Sequence, residues 1–442
     1  MRRIFDGYAY GDGPRANCWW DATCDIPSAP EFIQTARTDV AIIGAGFTGL
    51  MAALQLAREG ISVTVLEAQR IGWGASGRNG GFCCLGGSMA SDAALDRRFG
   101  RQGRVDFRRT ELAAVQLVEE TLKTYDIDVD RHSLGETSLA HRSKDMAELW
   151  SHGSNIKENY DVPYHLHGTG DLLAMGMAGP FHGGITIEAG FGLNPRKYIG
   201  GLAKAARAAG GLIFESSAVS KMVKQSQGWM LDVNGHSLHA DRVIVATNGY
   251  SSEDLPNWLS ARYMPAQSNV IVTRPLSEQE LSNAGWTTDQ MAYDSRNLLH
   301  YFRLMPDRRF LFGMRGGLWT GTKAEARALV KIRADFEDMF PAWKEVETPH
   351  NWSGMVCVAR GLLPFVGAIP QQDGLFAGMC YHGNGVAMGS YSGALLAQLV
   401  QGKQPNIAYP DAIKSPLRRF ELGRWRRAAM PLAYAGMMLA DL

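Results

Sequence analysis

A short apolar run, a glycine-rich turn and a helical pattern follow one another near the start of the chain. Residues 40–43 (VAII) are continuously apolar, as expected of a parallel strand buried on both faces. Apolar side chains then recur at helical spacing up to Gly60, and residues 62–66 (SVTVL) form a second apolar run. These patterns predict a strand, a helix and a second strand, joined as a right-handed crossover in a parallel sheet.

Helical spacing of apolar residues and short apolar or alternating runs also predict the helices and strands in the rest of the chain. Apolar residues at helical spacing, with Asn194-Pro195 as one helix start, predict helices over residues 105–125, 144–160, 194–210, 323–340 and 387–400. Apolar or alternating runs, with a hairpin turn at Asn234-Gly235, predict strands over residues 212–215, 217–223, 242–246, 268–273, 299–305, 310–314 and 376–379. From 251 to about 350 the pattern is mainly of the β type, which indicates a second sheet.

Length, charge and cysteine usage narrow the class of protein. A chain of 442 residues exceeds a single ordinary core, so we expect two domains or interleaved lobes. The 45 basic and 44 acidic side chains nearly cancel, which argues against a nucleic-acid partner and favours a small molecule. The six cysteines lack paired metal spacing, so no metal site is expected. Neither a secretory signal nor a transmembrane segment is recognisable, so a cytoplasmic location is expected.

The turn after the first predicted strand has the G-x-G-x-x-G pattern of dinucleotide sites, GAGFTG at residues 44–49. Gly44 permits the tight turn, Gly46 lets the backbone approach a pyrophosphate, and Gly49 allows the helix to pack closely. The helix N-terminus would direct its amides at the phosphates. Glu67, at the end of the second predicted strand, can accept hydrogen bonds from both ribose hydroxyls of an adenosine. This acid argues against the phosphorylated nicotinamide cofactor but does not separate NAD from FAD.

A second glycine-rich stretch, residues 71–82, follows the second predicted strand. Its amides and the side chains of Ser76, Arg78 and Asn79 can donate to phosphate, ribityl hydroxyls or a ring carbonyl. The first motif followed by GWGASGRNGG resembles the FAD-dependent D-amino-acid oxidase superfamily, specifically the branch of γ-glutamylputrescine oxidoreductase and its relatives among glycine and sarcosine oxidases. The segments around YFR and FLFG (301–313) and WSGMVCVARGLLPFVG (352–367) resemble the same family.

This resemblance implies FAD as the cofactor. In the family, the stretch matching Ala218-Val219 lies beside the adenine, and the one matching 246–249 closes over the dinucleotide. Relatives that attach the flavin use a cysteine or a histidine where this chain has Gly354 or Arg78, so we expect non-covalent FAD. The predicted cofactor-binding residues are Gly44, Gly46, Phe47, Thr48, Gly49, Glu67, Ala68, Gly74, Ala75, Ser76, Arg78, Asn79, Gly80, Val219, Thr247, Gly249, Gly383, Asn384, Gly385 and Val386.

The patterns and the resemblance together predict an α/β fold of mixed α+β type. A Rossmann-like FAD-binding domain is expected to be interleaved with a substrate domain built on a large, mostly antiparallel sheet flanked by helices. The predicted segments are an N-terminal surface arm (1–37), the FAD-binding domain (38–125, 191–250 and 351–402), the substrate domain (126–190 and 251–350) and a C-terminal tail (403–442). The basic run at 424–427 in that tail favours a solvated helix face, with a membrane-surface or partner site as the alternative.

The resemblance implies oxidation of a C–N bond to an imine, followed by hydrolysis, in an amino acid or a secondary amine such as a γ-glutamyl amine. The flavin accepts the hydride equivalent, and the protein supplies binding, orientation and electrostatics. The residues predicted to act on the substrate are Tyr301, Arg303, Arg360 and His382, with Arg303 as the leading carboxylate clamp. The alternatives are an ion-paired structural arginine for Arg303, a hydrogen-bonded structural histidine for His382 and a core position for Tyr301. Tyr250, His300 and Arg315 are further pocket candidates, and Cys83-Cys84 are expected to be structural thiols.

Several questions stay open at this point. The family usually has threonine and aspartate where this chain has Ala359 and Gly361, so substrate specificity does not transfer in detail. Some members activate oxygen with a lysine, but residues 226–321 contain none, so the electron acceptor is either oxygen or another carrier. A nicotinamide-dependent Rossmann dehydrogenase would use the same first motif. A flavin-bearing electron-transfer subunit without its own amine substrate would use both glycine stretches.

Overall fold

The computed structural model describes residues 1–441, which form helices and strands in the following order. The α-helices are α1 (Phe47–Arg58), α2 (Asp92–Thr124), α3 (Ser143–Tyr160), α4 (Thr169–Ala174), α5 (Pro195–Ala208), α6 (Glu278–Ala284), α7 (Thr322–Met339), α8 (Ala387–Leu399), α9 (Asp411–Lys414) and α10 (Met430–Asp441). The strands are β1 (Ala36–Ile43), β2 (Val63–Leu66), β3 (Phe82–Cys83), β4 (Glu136–Leu139), β5 (Tyr164–Gly168), β6 (Gly183–Ile187), β7 (Phe191–Gly192), β8 (Leu212–Phe214), β9 (Val219–Lys224), β10 (Trp229–Val233), β11 (His236–Val245), β12 (Tyr263–Val272), β13 (Met291–Asp294), β14 (His300–Leu304), β15 (Phe310–Arg315), β16 (His350–Ala359), β17 (Phe365–Ala368) and β18 (Leu375–Met379).

The first large sheet is built around a parallel core. Its main path runs β17-β18-β11-β1-β2-β8, and the hairpin of β9 and β10 extends from β11. Since β1 is parallel to both β2 and β11, Ile43 lies level with Leu66 and with Val245. The carboxyl ends of these three strands therefore meet at one edge, with α1 starting directly after β1. The predicted strand–helix–strand crossover is confirmed.

The second large sheet is mostly antiparallel, in the order β16-β12-β15-β14-β13-β4-β6-β5. Among its neighbouring pairs, only β13 and β4 run parallel. A parallel sheet and a large antiparallel sheet in one chain confirm the predicted mixed α/β fold class. The boundaries of the predicted domain segments stay predictions.

Alternation along β14 and β15 assigns their side chains to two faces. Phe302, Phe310 and Phe312 pack into an aromatic core together with Phe336 of α7 and Trp343. The residues between them, Tyr301 and Arg303 on β14 and Arg315 at the end of β15, belong to the opposite face. This second face is turned toward the glycine loops.

The long helix α2 differs from its prediction, which began at residue 105. It begins at Asp92, where the Ser91 side chain accepts a hydrogen bond from the Ala94 amide, and Gly100 interrupts it with a φ of 72°. Among the eight residues before the interruption, four are charged and only Leu95 and Phe99 are large and apolar, so the apolar spacing used for the prediction is too short there to indicate a helix.

The two ends of the chain are more buried than expected. The predicted surface arm buries Arg15 and Trp20, and the indole of Trp20 donates a 2.8 Å hydrogen bond to the carbonyl of Asn79 in the second glycine stretch. In the C-terminal tail, Arg426 is buried and donates to the carbonyl of Tyr263 at 2.9 Å. The basic run is therefore not simply a solvated face. Among the helices of residues 1–441, none has both the length and the apolarity needed to cross a bilayer.

Candidate active site

A cavity of about 410 Å³ is lined by residues of both sheets. One part of its wall comes from the turn after β1, the end of β2 and the stretch before β3. Another part comes from the inner side of β12 to β16, and a third from the turn that leads into α8. A space of this kind, at the carboxyl ends of parallel strands, is where open α/β folds bind their ligands.

The first glycine turn has no room for side chains at two of its positions. A Cβ added to Gly46 would lie 2.8 Å from Ser76 Oγ, and one added to Gly49 would lie 2.0 Å from the carbonyl oxygen of Gly44. Gly44 itself has a φ of 105°, in the region that favours glycine. Bare backbone and the N-terminus of α1 therefore face the cavity, which suits a phosphate group.

Glu67 closes the same end of the cavity. Its Oε2 accepts a 2.8 Å hydrogen bond from the Ala45 amide, and its Oε1 accepts a 3.0 Å bond from the Gln69 amide. Burial raises the pKa of Glu67. Each oxygen can accept a further hydrogen bond, so the carboxylate can also receive hydroxyl donors. Val219 lies in the same cavity wall, and its place beside an adenine stays a prediction.

The polar side chains of the second glycine stretch are engaged within the protein. Arg78 is buried and donates to the carbonyls of Trp73 (2.9 and 3.1 Å) and Ser353 (3.2 Å). Asn79 donates to two carbonyls of its own loop and accepts from the Gly81 amide at 2.8 Å. Both residues line the cavity, but their side chains hold the loop in shape. The expectation that the side chains of Arg78 and Asn79 are free to donate to a ligand is therefore not supported. Ser76 accepts a 3.0 Å hydrogen bond from the Phe47 amide and keeps its own hydroxyl proton, so its predicted role stays a prediction.

The turn before α8 forms another part of the wall, through Gly383, Asn384, Gly385 and Val386. Asn384 donates to the carbonyl of Leu85 at 2.7 Å and contacts Cys84 Sγ at 3.1 Å. His382 lies in the same turn but does not reach the cavity. Its Nδ1 donates to the Gly87 carbonyl at 2.9 Å, and its Nε2 accepts from the Ala359 amide at 3.1 Å. Both ring nitrogens are occupied, so His382 holds two loops together.

Tyr301 and Arg315 are exposed to the cavity from the second sheet. The hydroxyl of Tyr301 is 2.9 Å from Ser268 Oγ. Its ring occupies the space that side chains at Gly80 and Gly313 would fill. Arg315 makes one long hydrogen bond of 3.5 Å, to the His382 carbonyl, and no ion pair with a carboxylate within residues 1–441. Arg315 is thus a cationic group that faces the cavity without a charge partner.

Two of the predicted substrate residues lie outside the cavity for clear reasons. Arg303 is fully buried because the short pair of β3 and β7 covers it, and its terminal nitrogens donate to His132 Nε2 (2.7 Å) and to the Leu193 carbonyl (2.8 Å). Arg360 is exposed and donates to both carboxylate oxygens of Glu421 at 2.8 Å. The predicted clamp role of Arg303 is therefore incompatible with its position, and Arg360 contacts no part of the cavity.

Most of the other predicted residues line the cavity, and a few do not. Among the predicted cofactor residues, Gly49 and Gly249 do not line the cavity. Gly49 supports the packing of α1, and a Cβ at Gly249 would lie 3.3 Å from Met355 Cβ. The remaining cofactor residues all line it, and so does Tyr250. His300 lies on the other face of β14, between Asp294 (2.9 Å) and Asp335 (3.1 Å). The binding roles of the lining residues stay predictions.

Several lining residues were not predicted to bind the cofactor or the substrate. They come from distant parts of the chain and share only their place in the wall, namely Arg3, Tyr10, Cys84, Glu136, Ser268, Tyr293 and Leu299. Glu136 is the most unusual of them, because it is a carboxyl group only 3% exposed. Burial raises its pKa to about 8. Its position in a short strand of mixed composition gave no reason to single it out.

Known proteins are similar to this chain in sequence and in fold. Residues 39–399 match the family DAO, described as FAD dependent oxidoreductase. The chain is 30% identical over 430 residues to the probable oxidoreductase OrdL of Rhizobium meliloti (strain 1021), covering 96% of this chain and 97% of the relative. It is 29% identical over 369 residues to the gamma-glutamylputrescine oxidoreductase of Escherichia coli (strain K12), covering 84% and 85%. The structure of glycine oxidase from Geobacillus kaustophilus has the same fold, with a TM-score of 0.70 at 21% identity, covering 86% of this chain and 99% of that one.

Proposed function

Because the chain belongs to the DAO family of FAD-dependent oxidoreductases, we propose that it oxidises the C–N bond of an amine or amino acid inside the cavity lined by both sheets. FAD supplies the redox chemistry by accepting a hydride equivalent from the carbon next to nitrogen. The bare backbone at Gly46, the carboxylate of Glu67 and the second glycine stretch fit its pyrophosphate, ribose and ring parts. Gly354 and Arg78 offer no attachment point, which supports non-covalent binding.

The observation that carries the proposal is the unpaired guanidinium of Arg315 in the same cavity as the glycine turn. A planar guanidinium recognises a carboxylate through two parallel hydrogen bonds. The hydroxyl of Tyr301 offers a second polar contact in this wall. An amine that also carries a carboxylate fits these groups, and both amino acids and γ-glutamyl amines meet that description.

The protein's own residues would act by binding and orientation. Arg315 would hold the carboxylate, and Tyr301, fixed by its contact with Ser268, would limit the positions open to the rest of the substrate. Removal of a hydride requires the amine in its neutral form, which a partly desolvated cavity favours. The imine would then be hydrolysed to a carbonyl compound and an amine or ammonia.

The electron acceptor stays open between oxygen and another carrier. Within residues 1–441, the residues that line the cavity include no lysine of the kind some family members use with oxygen. The family membership favours FAD over a nicotinamide cofactor, since the matching family is described by FAD. The likeness to gamma-glutamylputrescine oxidoreductase supports a γ-glutamyl amine as the more specific candidate.

Steady-state turnover with an artificial dye acceptor tests the proposal. The FAD-loaded protein is assayed with D- and L-amino acids, N-methyl amino acids, γ-glutamylputrescine and amines without a carboxylate. We expect turnover with at least one carboxylate-bearing amine, and a loss of about 100-fold in kcat/KM for it in Arg315→Met. The exposed Arg360→Met variant is the matched control and should keep wild-type turnover. Absence of turnover with every compound, using protein that holds FAD, would overturn the proposed function.

A further inference from the structure

The helix α10 is apolar along almost its whole length and is largely exposed. Residues 430–440 (MPLAYAGMMLA) contain no charged side chain. Leu432, Met438 and Leu439 are 79%, 53% and 70% exposed, and Met430 is the one buried residue of the helix. A helix that is apolar on all sides is normally buried, and exposed apolar patches mark contact sites. The exposed side of α10 therefore needs a partner that residues 1–441 do not supply.

Contacts at two points hold α10 in a fixed position. At its end, the Asp441 carboxylate accepts hydrogen bonds from the backbone amides of Asn297 (2.8 Å) and Leu298 (3.2 Å). Nearer its start, Tyr434 packs against the loop after β15, where a Cβ added to Gly316 would lie 3.3 Å from Tyr434 Cε1. The helix is therefore docked on the protein through one side, while its other side stays uncovered.

Two exposed tryptophans extend the apolar surface of α10. Trp425, in the segment directly before α10, is 66% exposed, and the guanidinium of Arg424 lies 5.1 Å from the centre of its ring. Trp319, in the loop after β15, is 69% exposed. The carbonyl of its neighbour Leu318 accepts a hydrogen bond from Arg427, which joins this loop to the segment before α10. Exposed tryptophans beside cationic side chains are typical of the boundary between water and lipid.

The segment that leads into α10 is strongly basic. Residues 412–440 contain six basic side chains and one acid, Glu421, which pairs with an arginine of another loop. Arg418, Arg419 and Arg424 are exposed, and within residues 1–441 none of them forms an ion pair. The apolar helix is thus preceded by cations without counter-charges, which favours a partner that is both apolar and anionic.

A second copy of this chain fits this description poorly. In a pair with two-fold symmetry the same surface meets itself, so the arginines of one copy would approach those of the other. Such contacts between like charges oppose association. A bilayer that contains anionic lipids offers negative headgroups and an apolar interior at the same place. At 12 residues, α10 is too short to cross the hydrocarbon core but can lie in the plane of the interface.

We propose that α10, together with Trp319 and Trp425, binds the protein to the surface of a bilayer that contains anionic lipids, with Arg424 among the side chains that contact the headgroups. This surface adjoins the cavity, because the lining residues Leu299 and Arg315 are sequence neighbours of residues that contact α10. The bound protein has its substrate cavity next to the membrane. The proposal is independent of C–N oxidation, since it concerns a surface outside the cavity.

Co-sedimentation of the FAD-loaded protein with lipid vesicles tests the proposal. The vesicles consist of phosphatidylcholine alone or with about one third phosphatidylglycerol. We expect binding to the anionic vesicles that weakens with added salt, and binding to the neutral vesicles that is weaker by about tenfold or more. Leu432→Asp and Leu439→Asp should each weaken binding to anionic vesicles by about tenfold or more, and Arg424→Gln by about fivefold. Leu134→Asp is the matched control, since Leu134 is 72% exposed in the loop before β4, and should bind like wild type.

Hydrogen–deuterium exchange of the wild-type protein locates the contact without any variant. Amides of residues 428–440 should exchange more slowly with anionic vesicles than without them. Unchanged exchange in this segment, or a protein that does not sediment with anionic vesicles, would overturn the proposal. It would also be wrong if both kinds of vesicle bind equally, or if Leu432→Asp and Leu439→Asp bind like wild type. A dimer that forms without lipid and is abolished by Leu439→Asp would show instead that a second copy covers α10.

Discussion

Arg303 donates a 2.7 Å hydrogen bond from Nη1 to Nε2 of His132. The Nδ1 of His132 is 2.6 Å from the Asp130 carbonyl, so the ring is neutral and accepts at Nε2. The other terminal nitrogen of Arg303 donates to the Leu193 carbonyl. Arg303 therefore links β14 to the residues around β7, next to the second glycine stretch. This structural position is the basis for the prediction on Arg303 in the next paragraph.

Replacement of Arg303 should affect stability more than substrate binding. Arg303→Met leaves the Leu193 carbonyl and His132 without their donor, which costs about 2–4 kcal/mol of stability. Thermal unfolding of the FAD-loaded variant should therefore begin at a clearly lower temperature, with the KM of the folded fraction within about twofold of wild type. A normal unfolding temperature together with a large increase in KM for carboxylate substrates would instead restore Arg303 as a clamp.

A methyl group at Gly49 should disrupt the dinucleotide site. Its Cβ would lie 2.0 Å from the Gly44 carbonyl oxygen, so α1 must move away from the turn. We expect Gly49→Ala to lose about 2 kcal/mol or more of stability and to be purified with little FAD. Gly170→Ala is the control, since a Cβ there meets no atom within 4 Å. Normal FAD content in Gly49→Ala would contradict the close-packing role.

Loss of the Glu67 carboxylate should weaken FAD binding. Hydrogen bonds to a charged group are worth about 1.5–3 kcal/mol, so Glu67→Ala should raise the Kd for FAD by about 10- to 100-fold. Titration of the apoprotein with FAD, followed by flavin fluorescence, measures this change. Glu59→Ala removes an acid that pairs with Lys403 at the far end of α1 and should leave the Kd unchanged. An unchanged Kd in Glu67→Ala would show that the carboxylate does not contact the ribose.

Two buried histidines should make the fold sensitive to acid. Burial lowers the pKa of His132 to about 3 and that of His382 to about 4. The unfolded chain binds these protons below about pH 6.5, whereas the folded chain stays neutral at both sites. Their contribution to stability is therefore complete above pH 6.5 and falls toward pH 4, by about 1.4 kcal/mol per pH unit for each histidine.

The acid sensitivity can be assigned with one variant. Between pH 6.5 and 4.5, the slope of the unfolding free energy with pH gives the number of protons taken up on unfolding. In His382→Asn this number should be smaller than in wild type by about one. Denaturant unfolding at several pH values provides the measurement. The exposed His152→Asn variant, on α3, is the comparison and should keep the wild-type slope. Identical slopes in all three proteins would mean that His382 takes up its proton in the folded state.

The sequence was sufficient for those features that depend on local order. The strand, the glycine turn and the helix around Gly46 are neighbours in the chain, and Glu67 follows the next strand, so spacing alone placed them at one edge of a sheet. The sequence could not show which of Arg303 and Arg315 faces the cavity. Both lie on the inner face of the second sheet, and Arg303 is buried because the pair of β3 and β7, distant in the sequence, covers it. Glu136 was missed for the same reason, because its neighbours come from α2, β13 and the second glycine stretch.

Anaerobic titration of the FAD-loaded protein, followed by its visible spectrum, tests the central claim most directly. The protein should purify yellow or take up FAD on reconstitution, and a zwitterionic amine should bleach the oxidised flavin band completely. Arg315→Met should hold the same amount of FAD but resist bleaching at the concentration that reduces the wild type. A protein that binds no FAD, or a bound flavin that stays oxidised with every amine and amino acid supplied, would contradict the account.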